Sequence, residues 1–101
     1  MIKYPYSKMN TEMKRRIHVI IQGNVQGVNF RSEARFLARR MQLTGWVMNK
    51  GSTVELVAEG EEDDLKELLR WCQRGPRTAK VENIQTEWQT TKKEFKRFEV
   101  K

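Results

Sequence analysis

A single cysteine, Cys72, and a single histidine, His18, stand in a chain of 101 residues. The first excludes an internal disulfide framework and any zinc site built from several cysteines. The second argues against a histidine-rich metal centre, and nothing near it resembles a Ser-His-Asp arrangement. Long apolar runs are missing too. No stretch approaches membrane-spanning length, and MIKYPYSKMNTEMKRR lacks the apolar segment of a signal peptide, so the expected compartment is the cytoplasm, with no membrane partner. No internal repeat or linker divides the chain, whose length suits one domain with one modest core.

Charge is abundant instead. Twenty basic residues against 13 acidic ones leave a net charge of +7, while 33% charged and 38% hydrophobic residues describe a polar but foldable composition. Such a surplus draws anions of several classes: phosphorylated metabolites, nucleic acid or anionic lipid. Charge alone does not choose among them.

Residues 1–15 lack periodicity and contain Pro5, and they read as a loose or accessory arm ahead of a domain over 16–101. RRIHVIIQ then puts Ile17, Val19 and Ile21 on one face of a strand and Ile20 on the other, the pattern of a central strand. Phe30, Ala34, Leu37, Ala38 and Met41 follow the spacing of one helix face, with Arg35, Arg39 and Arg40 outside it. TGWVMN and TVELVAEG form a hairpin across NKGS. EEDDLKELLRWCQRG is a second helix, acidic at its N-terminal end as the helix dipole prefers, stopped by Gly75-Pro76. In AKVENIQTEWQ the positions of Val81 and Ile84 break simple alternation, which suggests a bulge. Phe98 and Val100 mark a last short strand.

The order β-α-β-β-α-β plus a short extra C-terminal strand predicts an α+β, ferredoxin-like sandwich: an antiparallel sheet with two helices on one face. Right-handed crossovers make the first two strands parallel with the third between them. The end of strand 1, the start of helix 1 and the end of strand 2 then share one edge. Asn49 should face the segment Gly23–Arg31 across two strand spacings, roughly 10 Å.

That segment, GNVQGVNFR, holds an oddity. A helix N-terminus disfavours positive charge, yet Arg31 sits there. Glycines at 23 and 27 open backbone conformations closed to other residues, so successive N–H groups can converge on an anion beside the unpaired donors of the helix. An oxyanion bound there would take a bidentate pair from Arg31. By spacing alone a plain strand-to-helix turn with an exposed arginine is the favoured reading, because Gly-x-x-x-Gly is a common pattern. The stretch is neither a Walker A loop nor a dinucleotide-binding fingerprint.

GNVQGVNFR resembles the first signature of the acylphosphatase family, Gly-x-Val-Gln-Gly-Val-x-Phe-Arg, at every fixed position. GWVMN with VELVAEG resembles the second, and GPRTAKVENI resembles the family's Gly-Pro-x-x-Ala-x-Val stretch; together these cover Arg16 to Lys101. The resemblance implies a ferredoxin-like fold and hydrolysis of the carboxyl–phosphate bond of acyl phosphates without metal or other cofactor. It implies that Gly23, Asn24, Val25, Gln26, Gly27, Val28, Asn29 and Phe30, through their main chain, and the guanidinium of Arg31 hold the phosphoryl group. Asn49 would orient the attacking water. The implied partners are a small-molecule acyl phosphate and inorganic phosphate or sulfate as product or inhibitor, with the chain a monomer. One departure is visible: NKGSTV reaches Val54 one residue earlier than the family pattern, a difference expected to be absorbed in the turn.

The remaining chemistry-bearing residues have simpler readings. His18 lies opposite the apolar face of its strand, Cys72 falls on the apolar face of helix 2, the three arginines of helix 1 read as a solvated face, and Trp46, Trp71 and Trp88 pack. Two alternatives stand beside the enzyme. A basic ferredoxin-like domain could bind RNA on its open sheet face, but no aromatic stacking residues lie on strands 1 and 3, and the RNA-recognition signature is missing. An acylphosphatase-like domain could also bind anions without turning them over.

Overall fold

The computed structural model describes residues 13–101. Strand β1 (Lys14–Asn24) is followed by helix α1 (Phe30–Arg40), the hairpin of β2 (Thr44–Lys50) and β3 (Thr53–Glu61), helix α2 (Glu62–Cys72), β4 (Lys80–Thr90) and the short β5 (Phe98–Val100). Of the arm expected over 1–15, residues 1–12 lie outside the described residues, while Lys14 and Arg15 already belong to β1. No helix among the described residues is long and apolar enough to cross a membrane.

The sheet order is β4-β1-β3-β2-β5, with β3 antiparallel to both β1 and β2. Strands β1 and β2 are therefore parallel to each other, as the crossover rule requires. The register pairs Val19 with Leu56, Ile21 with Val54 and Ile17 with Ala58. All six are buried, so one face of the pleat carries the core continuously across the central strands. Phe30, Ala34 and Ala38 of α1 and Leu65, Leu68 and Cys72 of α2 close over that face. Burial pushes the Cys72 thiol up to about 12, which keeps it neutral and inert.

Two features refine the expected sheet. The irregularity in β4 is a bulge: Gln22 pairs with Asn83 but Gly23 with Val81, leaving Glu82 as the extra residue. The four long strands pair antiparallel with one another, whereas β5 lies parallel to β2, with Val47 opposite Val100, so the five-stranded sheet is mixed. The return is pinned by three bonds: Gly45 N–H to Arg97 O at 3.1 Å, Lys101 N–H to Val47 O at 2.8 Å, and Arg39 Nε–H to Phe98 O at 2.8 Å. Arg39 thus ties α1 to the last strand instead of simply facing solvent.

Glu59 alternates with the buried Leu56 and Ala58 along β3 and so lies on the opposite face, yet it is 5% exposed. Its carboxylate accepts Thr91 Oγ1–H at 2.7 Å, Lys92 N–H at 2.9 Å, Lys93 N–H at 3.0 Å and Arg16 Nη1–H at 3.0 Å. Burial alone would raise its pKa, but these donors outweigh that and hold it below the ordinary carboxylate value. A buried carboxylate with four donors fixes where the chain after β4 turns back toward β5.

Candidate active site

The edge where β1 ends carries a loop built from unusual backbone. Gly23 has φ 133°, and a Cβ there would collide with the backbone of Lys80 and Glu82 at the β4 bulge. Only glycine lets the two strands approach so closely at the point where the chain leaves the sheet. Gly27 (φ 73°) and Asn29 (φ 65°) are both left-handed, and alternation of this kind turns successive N–H groups toward one side. Among the described residues, no main-chain N–H of residues 25–29 donates a hydrogen bond to a protein acceptor.

Asn29 is the N-cap of α1, but its side chain makes no capping bond. The first-turn donors of the helix therefore stay open, where a cap would normally occupy one of them. The loop is nonetheless rigidly held. Val25 is buried at one side, and Phe30 is buried at the other, its ring 4.9 Å from that of Trp71 and packed against Gly75. Burying a side chain such as Phe30 is worth about 2–3 kcal/mol, more than enough to hold the loop against local strain. Gln26 supplies a third anchor: its Nε2–H2 donates to Gly51 O and Thr53 O, both at 2.8 Å. The loop is thereby clamped to the β2–β3 turn.

These elements enclose a cavity of about 330 Å³ lined by Val25, Gly27, Asn29, Phe30, Arg31, Ser32, Arg35, Asn49 and Val100. Of the residues expected from sequence, Val25, Gly27, Asn29, Phe30, Arg31 and Asn49 meet there. Gly23, Asn24, Gln26 and Val28 do not line it. Gly23 and Asn24 pair with Val81 and Lys80 as the last residues of β1, Gln26 grips the hairpin, and Val28 packs toward the core. They shape the loop instead of facing the cavity. The hairpin one residue shorter than the family pattern closes through the two-residue turn Gly51-Ser52, and Asn49 stays in register opposite Val54.

The charge of this cavity is one-sided. Arg31 has no acidic partner among the described residues; its Nη1 lies 3.4 Å from the main-chain oxygen of Lys101, the residue after β5. No Asp, Glu, His or Cys lines the wall, and no group of three or more such side chains that could hold a metal ion occurs among the described residues. The side-chain amide of Asn49 also has no protein hydrogen-bond partner among them. An open set of N–H donors, an uncompensated guanidinium and an unpaired amide face one space, which suits a small oxyanion and a polar reactant beside it.

Two contributors were not read from sequence. Arg35 was assigned to a solvated face, although its position four residues after Arg31 puts both on one side of α1. Val100 reaches the cavity through the parallel pairing of β5, for which the local sequence carries no signal. His18 hydrogen-bonds Glu55 on the open sheet face, away from the cavity, and Cys72 is core.

The acylphosphatase family model matches residues 17–100. An acylphosphatase of Pelotomaculum thermopropionicum is 46% identical over 86 residues, covering 84% of this chain and 94% of that protein. A solved acylphosphatase from Coxiella burnetii superimposes with a TM-score of 0.84 at 41% identity, covering 89% of this chain and 95% of that one. The Bacillus subtilis acylphosphatase gives 0.81 at 31% identity, over 85% and 97% respectively. With the signature loop, the sheet order and these matches in agreement over nearly the whole domain, the chain belongs to the acylphosphatase family.

Proposed function

We propose that this acylphosphatase holds the phosphoryl group of its substrate with the main-chain N–H groups of the loop from Val25 to Arg31 and the guanidinium of Arg31, and that Asn49 orients the attacking water. The observation that carries this reading is the row of main-chain donors, residues 25–29, without protein acceptors, beside an arginine without an acidic partner. Gly23 and Asn24, part of the family's signature, act by setting the path of the loop.

In the reaction, water oxygen attacks phosphorus and the bond from phosphorus to the bridging oxygen breaks. The acyl group leaves as carboxylate, and the phosphoryl group leaves as inorganic phosphate carrying both water protons. A carboxylate leaving group has a pKa near 4, so it departs without a general acid. The Asn49 amide oxygen accepts one water hydrogen and aims the lone pair at phosphorus. Asparagine takes no proton at neutral pH, so its contribution is orientation. The donors of the loop and Arg31 offset charge on the equatorial oxygens, the term that dominates phosphoryl transfer.

A cationic wall without carboxylate, imidazole or thiolate suits anion binding and disfavours a divalent ion, which supports turnover without metal. The same reading takes the enzyme as a cytoplasmic monomer inhibited by phosphate or sulfate. The test is hydrolysis of acetyl phosphate by purified protein, with inorganic phosphate competing and activity unchanged in chelator. Inactivation by chelator that is reversed by a divalent ion overturns the metal-free reading.

A further inference from the structure

We infer that Arg35 is a specificity-determining residue that selects acyl phosphates whose acyl group carries its own anion, such as the carboxylate of a short dicarboxylic acid. The inference rests on the phosphoryl-binding reading of the loop and extends it to the part of the substrate beyond phosphorus.

Arg35 lines the same cavity as Arg31 and Asn49, one helical turn further along α1. Residues four apart on a helix have Cβ atoms about 5–6 Å apart, and like charges at that spacing destabilise the helix by a few tenths of a kcal/mol. Such a pair is ordinarily relieved by an acid nearby. Among the described residues, Arg35 has no ion pair or hydrogen bond and does not stack on an aromatic ring, although other arginines do: Arg16 with Glu59 and Glu94, Arg70 with Glu67, Arg97 with Glu99, Arg15 over Trp88. Glu33, the acid of the first turn of α1, is exposed and does not line the cavity. What sets Arg35 apart is its place on the cavity wall, where its unpaired charge is open to an anion that enters.

That anion is not the phosphoryl group itself. Open N–H donors and the helix dipole are confined to the first turn, where Arg31 already sits. Arg35 stands past that turn, and the cavity of about 330 Å³ is larger than a phosphoryl group fills. With phosphorus in the loop, the bridging oxygen and acyl chain have room to run along α1, where a distal carboxylate meets the Arg35 fork. A neutral acyl group fills the same space without that pair and leaves the arginine uncompensated.

The test compares two substrates of equal chain length, succinyl phosphate with a terminal carboxylate and butyryl phosphate with a terminal methyl. The readout is the ratio of their kcat/KM values, which cancels any loss of active protein or of phosphoryl binding common to both. The wild-type ratio favours succinyl phosphate and falls as salt is raised, since the pair is partly exposed to solvent. In Arg35→Gln the ratio drops by up to about fivefold, the worth of one exposed charged pair at the upper end of its range; Arg35→Lys retains an intermediate ratio. An unchanged ratio in Arg35→Gln, with both substrates still hydrolysed, overturns the assignment of Arg35 alone. Failure of the wild type to hydrolyse either substrate overturns the phosphoryl-binding reading, and this inference with it.

Discussion

Arg31 and Asn49 face one cavity but carry different burdens, and their substitutions should separate them. Arg31 sits where a helix N-terminus repels positive charge, with only the main-chain oxygen of Lys101 as a partner among the described residues, so a bound anion would offset that repulsion. It interacts with phosphoryl oxygens in the ground state and the transition state alike. Arg31→Ala should raise the inhibition constant for inorganic phosphate and cut kcat together, by about 10²–10³ on the precedent of single oxyanion donors. Arg31→Lys should recover little, because a point charge does not reproduce two parallel N–H donors. Asn49 is neutral and is assigned to the water. Asn49→Ala should leave the phosphate inhibition constant near that of wild type while kcat collapses. Steady-state kinetics with phosphate as the varied inhibitor reads both quantities, and near-full kcat in Asn49→Ala would remove the residue from the mechanism.

At the scale of the element, the loop after β1 depends on two glycines for different reasons. Gly27 is left-handed but has open space around it, so Gly27→Ala meets only the conformational penalty of about 1–2 kcal/mol and no collision. At Gly23 the same substitution drives a methyl group into the backbone of β4, which must shift. Denaturant unfolding should accordingly find Gly23→Ala destabilised more than Gly27→Ala, and equal midpoints would contradict this account of the β1–β4 approach. Gly27→Ala, which folds, should still weaken phosphate inhibition because the left-handed turn aims the N–H groups. These elements also mark what sequence makes legible. Helix faces and strand alternation are local periodicities, and the split crossover follows from their order, so the meeting of Asn49 with Arg31 could be deduced. The parallel docking of β5 could not, because its direction is set by Glu59, which captures Thr91, Lys92 and Lys93 from a strand remote in sequence. Alternation puts Glu59 on the face opposite Leu56 and Ala58 but carries no information about the segment that covers it. The place of Arg35 on the cavity wall is hidden for a related reason: a charged helix face reads as solvated, and the wall opposite it is set by distant segments. The clamp from Gln26 required knowing where the hairpin turn would lie.

For the whole molecule, the site at one end of the sheet hangs on a polar knot at the other. Asn49 pairs with Val54 near the cavity, while Thr44 pairs with Glu59 at the far end of the same two strands. From Glu59 the chain is directed through residues 91–97 into β5, and beyond β5 the main-chain oxygen of Lys101 meets Arg31. The knot is titratable. The pKa of Glu59 in the folded state lies below its ordinary value, because burial, which opposes ionisation, is outweighed by Lys92 N–H, Thr91, Arg16 and Lys93 N–H. A depressed folded pKa means that the unfolded chain binds the proton more readily. The stabilisation is therefore complete above the unfolded value near 4.3 and is lost as pH falls through the lower folded value. Glu59→Gln keeps the shape but loses the charge, and at pH 7 it should cost about 1.5–3 kcal/mol, the worth of hydrogen bonds to a charged group. Below the unfolded value near 4.3 the unfolded chain takes up a proton that the folded carboxylate still resists, so the difference between the two proteins should shrink as pH falls further. Urea unfolding of both proteins at pH 7, 5 and about 3.5 measures that gap directly. A gap that stays constant across this range would mean that packing, and not the ionised carboxylate, holds residues 91–93 in place.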